Sequence, residues 1–146
     1  MEIRTTRDTM SDIYFDALRI RNTVFVKEQG VPYALEVENA VEEAKAVHFV
    51  LYEDGAALGT VRLLADLDKQ TALIQRMAVL AEARGRGYAN ILLENLMQFA
   101  KVHGILELEL HAQLSAKGLY AKHGFAEVGE VFEEAGIQHI TMKKAL

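Results

Sequence analysis

Gln75-Arg76-Met77-Ala78-Val79-Leu80-Ala81-Glu82-Ala83-Arg84-Gly85-Arg86-Gly87-Tyr88-Ala89 is the stretch on which the fold turns. A strand ends near Met77-Ala78-Val79 and a helix begins near Tyr88, with two glycines and two arginines between them. The first N–H groups of any helix lack intrahelical partners, and the aligned peptide dipoles make that end partially positive. Together these make an anion site, best suited to phosphate. Gly85 and Gly87 let the backbone approach a bulky anion without a Cβ clash, and Arg84 and Arg86 add charge and donors. A dinucleotide fingerprint needs a third glycine where Asn90 stands, and a Walker loop needs a Gly-Lys pair that the chain lacks. From the residues alone, an ordinary strand-to-helix turn with solvated arginines remains the alternative.

The flanks of this stretch set the topology. Downstream, Ala89, Leu92, Leu93, Leu96, Phe99 and Ala100 recur at helical spacing, and Asn90, Glu94, Gln98 and Lys101 form the polar stripe. Gly104 ends that helix. Leu106-Glu107-Leu108-Glu109-Leu110 alternates strictly, as a strand does. Strand, helix and strand in this order make a crossover, so the strands at 72–80 and 105–111 should lie parallel. Upstream, Val47–Tyr52 and Leu58–Leu64 are two strands joined by an Asp54-Gly55 hairpin turn, and they run into the third at 72–80.

Residues 2–6 can form an edge strand. Ser11 or Asp8 can cap a helix carrying Ile13, Ala17, Ile20 and Val24, which fades at Gly30-Val31-Pro32. Ser115 should cap a short helix that Gly124 ends, and Phe125–Phe132 and Ile137–Lys143 are two more strands, joined at Ala135-Gly136. The expected architecture is α+β: six or seven strands, mostly antiparallel with one central parallel pair, and three or four helices. Residues 33–45 are irregular and acidic, either a solvated surface or a mobile wall of a cleft.

At 146 residues, 51% of them hydrophobic and 25% charged, the chain fits one domain over 1–146 with a proper core. A net charge of −5 makes it a poor default binder of nucleic acid or of an anionic membrane. Without cysteine there are no disulfides, thiolate metal sites or cysteine nucleophile. No His-x-x-x-His pair or Ca²⁺-loop spacing occurs, so no metal is expected. The charged start of the chain, Met1–Asp8, and the lack of a long apolar run predict a cytoplasmic protein with no membrane span.

Arg84-x-x-Gly87-x-Ala89 resembles the acyl-CoA-binding motif of the GNAT superfamily of N-acetyltransferases, Gln/Arg-x-x-Gly-x-Gly/Ala. Gly118-Leu119-Tyr120-Ala121-Lys122-His123-Gly124-Phe125 is similar to the family's Phe-Tyr-x-Lys-x-Gly-Phe, with Leu119 in place of Phe. Val24–Pro32 resembles the front of small bacterial members. The likeness spans nearly the whole chain. It implies a GNAT-like three-layer fold and an enzyme with acetyl-CoA as donor and a primary amine as acceptor, on a small molecule or a peptide. It also implies that the backbone of Met77, Ala78 and Val79 runs beside the pantetheine arm, between splayed strands. By the same likeness the N–H groups of Arg84, Gly85, Arg86, Gly87, Tyr88 and Ala89 hold the pyrophosphate.

Tyr120 would be the general acid for the departing thiolate; packing under the sheet is its other reading. The chemistry also needs a base. Glu28, Glu36 and Glu38, and His48 and His111, are all available, with Glu28 and His111 the preferred pair and a water chain as the substitute. His103, His123 and His139 read as surface or structural residues. Without cysteine, transfer should be direct, in a ternary complex. The main alternative is a non-catalytic acyl-CoA-binding regulatory module, and a third is a structural domain with an empty cleft. The acidic stretch hints at a cationic acceptor. Oligomeric state stays open, with a homodimer one option.

Overall fold

Val47–Glu53 (β2) is buried on both faces over nearly its whole length, so a layer must cover each side of the sheet. The computed structural model describes residues 1–36 and 39–146. On one side, helix Tyr88–Val102 (α4) packs Leu92, Leu93, Leu96 and Ala100 against Phe49, Leu51 and Val61. On the other, helix Asp12–Arg21 (α1) packs Ala17 and Ile20 against Val50 and Tyr52. The period of two along β2 assigns alternate residues to the two layers. Each fully buried leucine contributes roughly 1.5–3 kcal/mol, so α4 is held mainly by its apolar face.

The remaining strands are Glu2–Thr6 (β1), Ala56–Asp66 (β3), Thr71–Val79 (β4), Glu107–Gln113 (β5), Ala126–Glu134 (β6) and Ile137–Ala145 (β7). Their order is β1-β2-β3-β4-β5-β7-β6, antiparallel except for β4 with β5. The sequence predicts a mixed sheet of six or seven strands with one parallel pair, and the sheet has seven. Asp54 and Gly55 make the β2–β3 turn with φ of 51° and 80°, as a tight hairpin turn demands. At Gly59 on β3, a Cβ would stand 2.9 Å from Leu92, so glycine allows α4 to lie close on the sheet.

Ser11 caps α1, its hydroxyl accepting from the Tyr14 N–H, while Asp8 accepts from the Met10 N–H just outside the helix. Beyond Arg21 the helix continues as a π-helical segment, Asn22–Glu28, which the apolar spacing does not reveal. Residues 33–45 hold two short helices, Tyr33–Glu36 (α2) and Ala40–Lys45 (α3). Ser115 caps nothing. It lies inside a 3₁₀ turn, Leu114–Ala116, that leads into helix Lys117–Lys122 (α5) without a side-chain cap.

Candidate active site

The parallel pair is short. Thr71, Ala72, Leu73 and Ile74 of β4 stand opposite Glu107, Leu108, Glu109 and Leu110 of β5, and there the pairing stops. Beyond it each strand continues with its outer neighbour only, Ala78 and Val79 with β3 and His111–Gln113 with β7. A bulge drives the divergence: Arg76 and Met77 together oppose Val61. Arg76 takes up the irregularity with φ of 58°. Bulges bend a strand and end its pairing. The result is a cleft of about 720 Å³ between the two strands, into which β4 presents an unpaired backbone edge. Buried backbone donors and acceptors require partners, and an extended ligand with amide groups supplies them. Met77, Ala78 and Val79 line this cleft.

At one end the cleft meets the N-terminus of α4. Gly87 is the cap residue, with φ of 79°, and it offers no side chain to the first-turn N–H groups. Gly85 has the same φ. Added Cβ atoms at either glycine would meet no protein atom, so the backbone, and not crowding within the chain, requires glycine here. Arg84, Gly85, Tyr88 and Ala89 line the cleft. The Arg84 N–H already donates to the Ala81 carbonyl at 3.3 Å, which leaves Gly85–Ala89 as the open N–H cradle. The Arg84 guanidinium is occupied as well. It donates to Val79 O at 3.0 Å and to both oxygens of Glu28 at 2.6 and 2.8 Å. Arg86 stays exposed and donates to Glu82 O at 3.2 Å. Tyr88 is buried and donates its hydroxyl hydrogen bond to Glu53.

Across the cleft lies Tyr120 of α5, only 6% exposed. Burial alone pushes its phenol up to about 12. Its ring meets Phe125 edge-on at 6.0 Å. His111 projects from β5 at the rim, with Nδ1 3.4 Å from Glu134 Oε1. His139 is buried beside it, its Nε2 3.7 Å from the second oxygen of Glu134, and its ring stacks on Phe132. Of the two readings of His139, surface or structural, burial favours the structural one, and the residue also lines the cleft. The three residues come from β5, β6 and β7, and no local spacing joins them. His103 stacks on Phe99 and His123 pairs with Asn90, both away from this wall.

The front segment spans the opening. Glu28 reaches the loop before α4, and the neighbouring Gln29 pairs with Gln113 of β5, one amide donating to the other at 2.9 Å. Glu28 gains its partner at a cost in basicity: the hydrogen bond from Arg84 holds its carboxyl below the usual carboxylate range.

The acidic stretch is largely exposed, as a solvated surface is, but two of its carboxylates, Glu36 and Glu43, turn inward. Glu36 is 5% exposed and accepts from Arg21 Nε at 2.7 Å. Glu43 accepts from Arg21 Nη1 at 2.6 Å, from Arg62, and from the Tyr14 hydroxyl at 2.9 Å. Burial pushes the Glu43 carboxyl up, but Arg21 and Arg62 outweigh it and hold it at about 2. Arg62 also donates to Gln75. His48 joins this cluster through the Glu43 carbonyl, 3.1 Å from its Nε2, and burial lowers its pKa. It is a buried core residue and does not line the cleft. Glu36 does line the cleft, but with its charge committed to arginines, so the hint of a cationic acceptor fails at this point. Glu38 lies outside the described residues. Among those residues no group of three or more His, Asp or Glu side chains is arranged to hold a metal, and no helix is long and apolar enough to cross a membrane.

Residues 12–146 match the family described as "Acetyltransferase (GNAT) domain". The chain is 33% identical to the uncharacterized N-acetyltransferase YjcF of Bacillus subtilis over 130 residues, covering 88% of this chain and 90% of that protein. It is 32% identical to the uncharacterized protein YyaT of the same organism, covering 94% and 92%. Among solved structures, an acyl-CoA N-acyltransferase from Pseudomonas aeruginosa superposes with a TM-score of 0.86 at 29% identity, over 99% of each chain.

Proposed function

Because the chain belongs to the GNAT acetyltransferase family, we propose that it transfers an acetyl group from acetyl-CoA directly to a primary amine, in a ternary complex. The observation that carries this reading is the unpaired edge of β4, which runs from a buried phenol to a glycine-capped helix N-terminus within one cleft. That layout suits a long ligand with amides along its length and a pyrophosphate at one end. Acetyl-CoA supplies the activated acetyl group. The backbone of Met77, Ala78 and Val79 would accept and donate along the pantetheine arm. The N–H groups of Gly85, Arg86, Gly87, Tyr88 and Ala89 would hold the pyrophosphate. Arg84 acts through Glu28, which ties the front segment to the cradle.

The acceptor must be a free amine when its nitrogen attacks. His111 is the base in this reading, oriented by Glu134, because Glu28 is engaged by Arg84 and held weakly basic. As the C–N bond forms and the C–S bond breaks, His111 takes the amine proton. Tyr120 donates to the departing sulfur. With its pKa at about 12 the phenol keeps its proton at any working pH, so it serves as a standing donor.

An acceptor panel with acetyl-CoA, read by thiol release, tests the reaction. Amine-dependent release supports it; tight acetyl-CoA binding without release for any amine overturns it in favour of a binding module. Gly87→Val tests the cradle. Its φ of 79° disfavours any side chain, by about 1–2 kcal/mol, and the branched Cβ occupies the anion's space. A lost charge-assisted hydrogen bond is worth roughly 1.5–3 kcal/mol, so the acetyl-CoA Kd should rise at least about tenfold by calorimetry. Native affinity in the folded variant would show that the loop holds no phosphate.

The base is tested by pH profiles. His111→Asn should lower kcat and flatten the acidic limb of kcat/KM, because that limb reports protonation of the base. Glu28→Gln should leave the limb in place and raise the KM for acetyl-CoA, because it releases Arg84. A native profile in His111→Asn would pass the role to His139, for which His139→Asn is the matching measurement.

A further inference from the structure

Arg76 sits at the bulge of β4 with a left-handed backbone, which a non-glycine residue adopts only where its surroundings impose it. Bulges also re-aim side chains, and Arg76 lines the cleft together with Gln75 and Glu36. Behind it lies the buried ionic cluster. Three guanidinium groups, Arg21, Arg62 and Arg76, meet two carboxylates, Glu36 and Glu43. Among the described residues, one positive charge is left over, since burial disfavours the charged form of His48. Among the described residues, two buried donors, Arg21 Nη2 and Arg76 Nε, have no hydrogen-bond partner. Arg76 Nε stands 3.4 Å from Glu36 Oε1 but is not aligned to bond it. A buried unpaired donor is costly, and Arg76, half-buried, is the arginine of this cluster that reaches the cleft.

We infer that the acceptor carries a carboxylate as well as its amine, and that Arg76 binds this carboxylate. The inference rests on the acyl-transfer reading above and names its substrate class: an acceptor of the amino acid class. A monoanion balances a surplus of one charge, whereas a phosphate monoester, nearly dianionic, would overshoot. A planar carboxylate also matches the guanidinium fork. The opposite wall complements it. Glu134, flanked by His111 and His139, is an acidic group facing the same cleft, suited to attract the ammonium form in which the substrate arrives, whose first proton leaves to solvent before attack. The acceptor site thus has a positive pole on β4 and a negative pole on β6, the arrangement a zwitterion requires.

The experiment uses the full ¹⁵N-labelled chain saturated with CoA. The Arg76 Nε–H resonance is assigned by its loss in Arg76→Lys. Free amino acids, their carboxamides and inorganic phosphate are added at millimolar concentration, and the same acids and amides are assayed as acceptors with acetyl-CoA. Free acids should shift the Arg76 resonance and amides should not. For the best acceptor, kcat/KM of the acid should exceed that of its amide at least tenfold, and Arg76→Lys should remove that preference chiefly through KM. Acids and amides that act alike in the native protein overturn the inference, a comparison that does not depend on the variant folding. A shift with phosphate and none with acids also overturns it. Acids that shift Arg76 while no amine is acetylated leave the carboxylate site standing and overturn the acyl-transfer reading.

Discussion

Tyr120→Phe is expected to lower kcat by about 10²-fold or more, the range typical of acid–base groups, with acetyl-CoA affinity nearly unchanged. The substitution removes one hydroxyl and keeps the ring against Phe125, so the packing that holds α5 survives. Burial is what raises the phenol pKa, with no charged partner for the substitution to strand. Melting temperature should therefore hardly move while turnover collapses, and the two measurements together separate a chemical role from a packing one. The high pKa adds a pH signature. The phenol stays protonated until the pH nears about 12, so native kcat should show no loss through Tyr120 ionisation between neutrality and pH 10. Near-native turnover of the variant on a good acceptor would return Tyr120 to packing alone.

Glu43→Gln should be the most damaging of the conservative substitutions. Removing one partner of a buried ion pair leaves uncompensated charge, at a cost of about 3–5 kcal/mol. Here two buried arginines, Arg21 and Arg62, lose the carboxylate between them. For a domain of this size the melting temperature should fall on the order of 10 °C. The carboxyl is depressed from 4.5 to about 2 in the folded chain, so its contribution is fully present above about pH 5. It is lost as the pH falls towards about 2, because the unfolded chain takes up the proton first. Native stability should decline through that window and the variant should decline less, as urea unfolding at pH 7 and pH 3 would show. Equal pH dependence in both proteins would mean that the depressed carboxyl is not Glu43.

The elements that sequence made legible are those whose pattern is local. The alternation at Leu106–Leu110, the apolar stripe of Ala89–Ala100 and the glycines between strand and helix are enough to place a parallel pair beside a crossover. The backbone of the loop before α4 was legible for the same reason, since Gly85 and Gly87 carry their preference for positive φ with them. What escaped depends on partners far along the chain. Glu28 and Arg84 are 56 residues apart, and that ion pair demotes a candidate base. Glu36 and Glu43 read as surface acids because nothing near them in sequence announces Arg21 or Arg62. The place of His139 in the cleft lining escaped because its neighbours Glu134 and His111 reach it only when β5, β6 and β7 assemble. The π-helical turns at Asn22–Glu28 keep the apolar spacing of an α-helix nearly intact, so periodicity cannot separate the two.

The sheet behaves mechanically as two panels. One panel is β1–β4, the other β5, β7 and β6, and the seam between them is four residue pairs long. At the far end of the slot the segment that follows α1 reaches β5 through a pair of side-chain amides, Gln29 with Gln113. Rotation about the seam would widen the slot without breaking a ladder in either panel, and it is resisted by the core that both panels share with α4 and by that amide pair. Gln113→Ala should therefore loosen the donor end of the molecule without unfolding it. Longer acyl chains should then compete better against acetyl, and amide protons of Met77–Val79 should exchange faster. A wider donor range in the variant would assign donor breadth to this bridge; an unchanged range would leave it a surface contact.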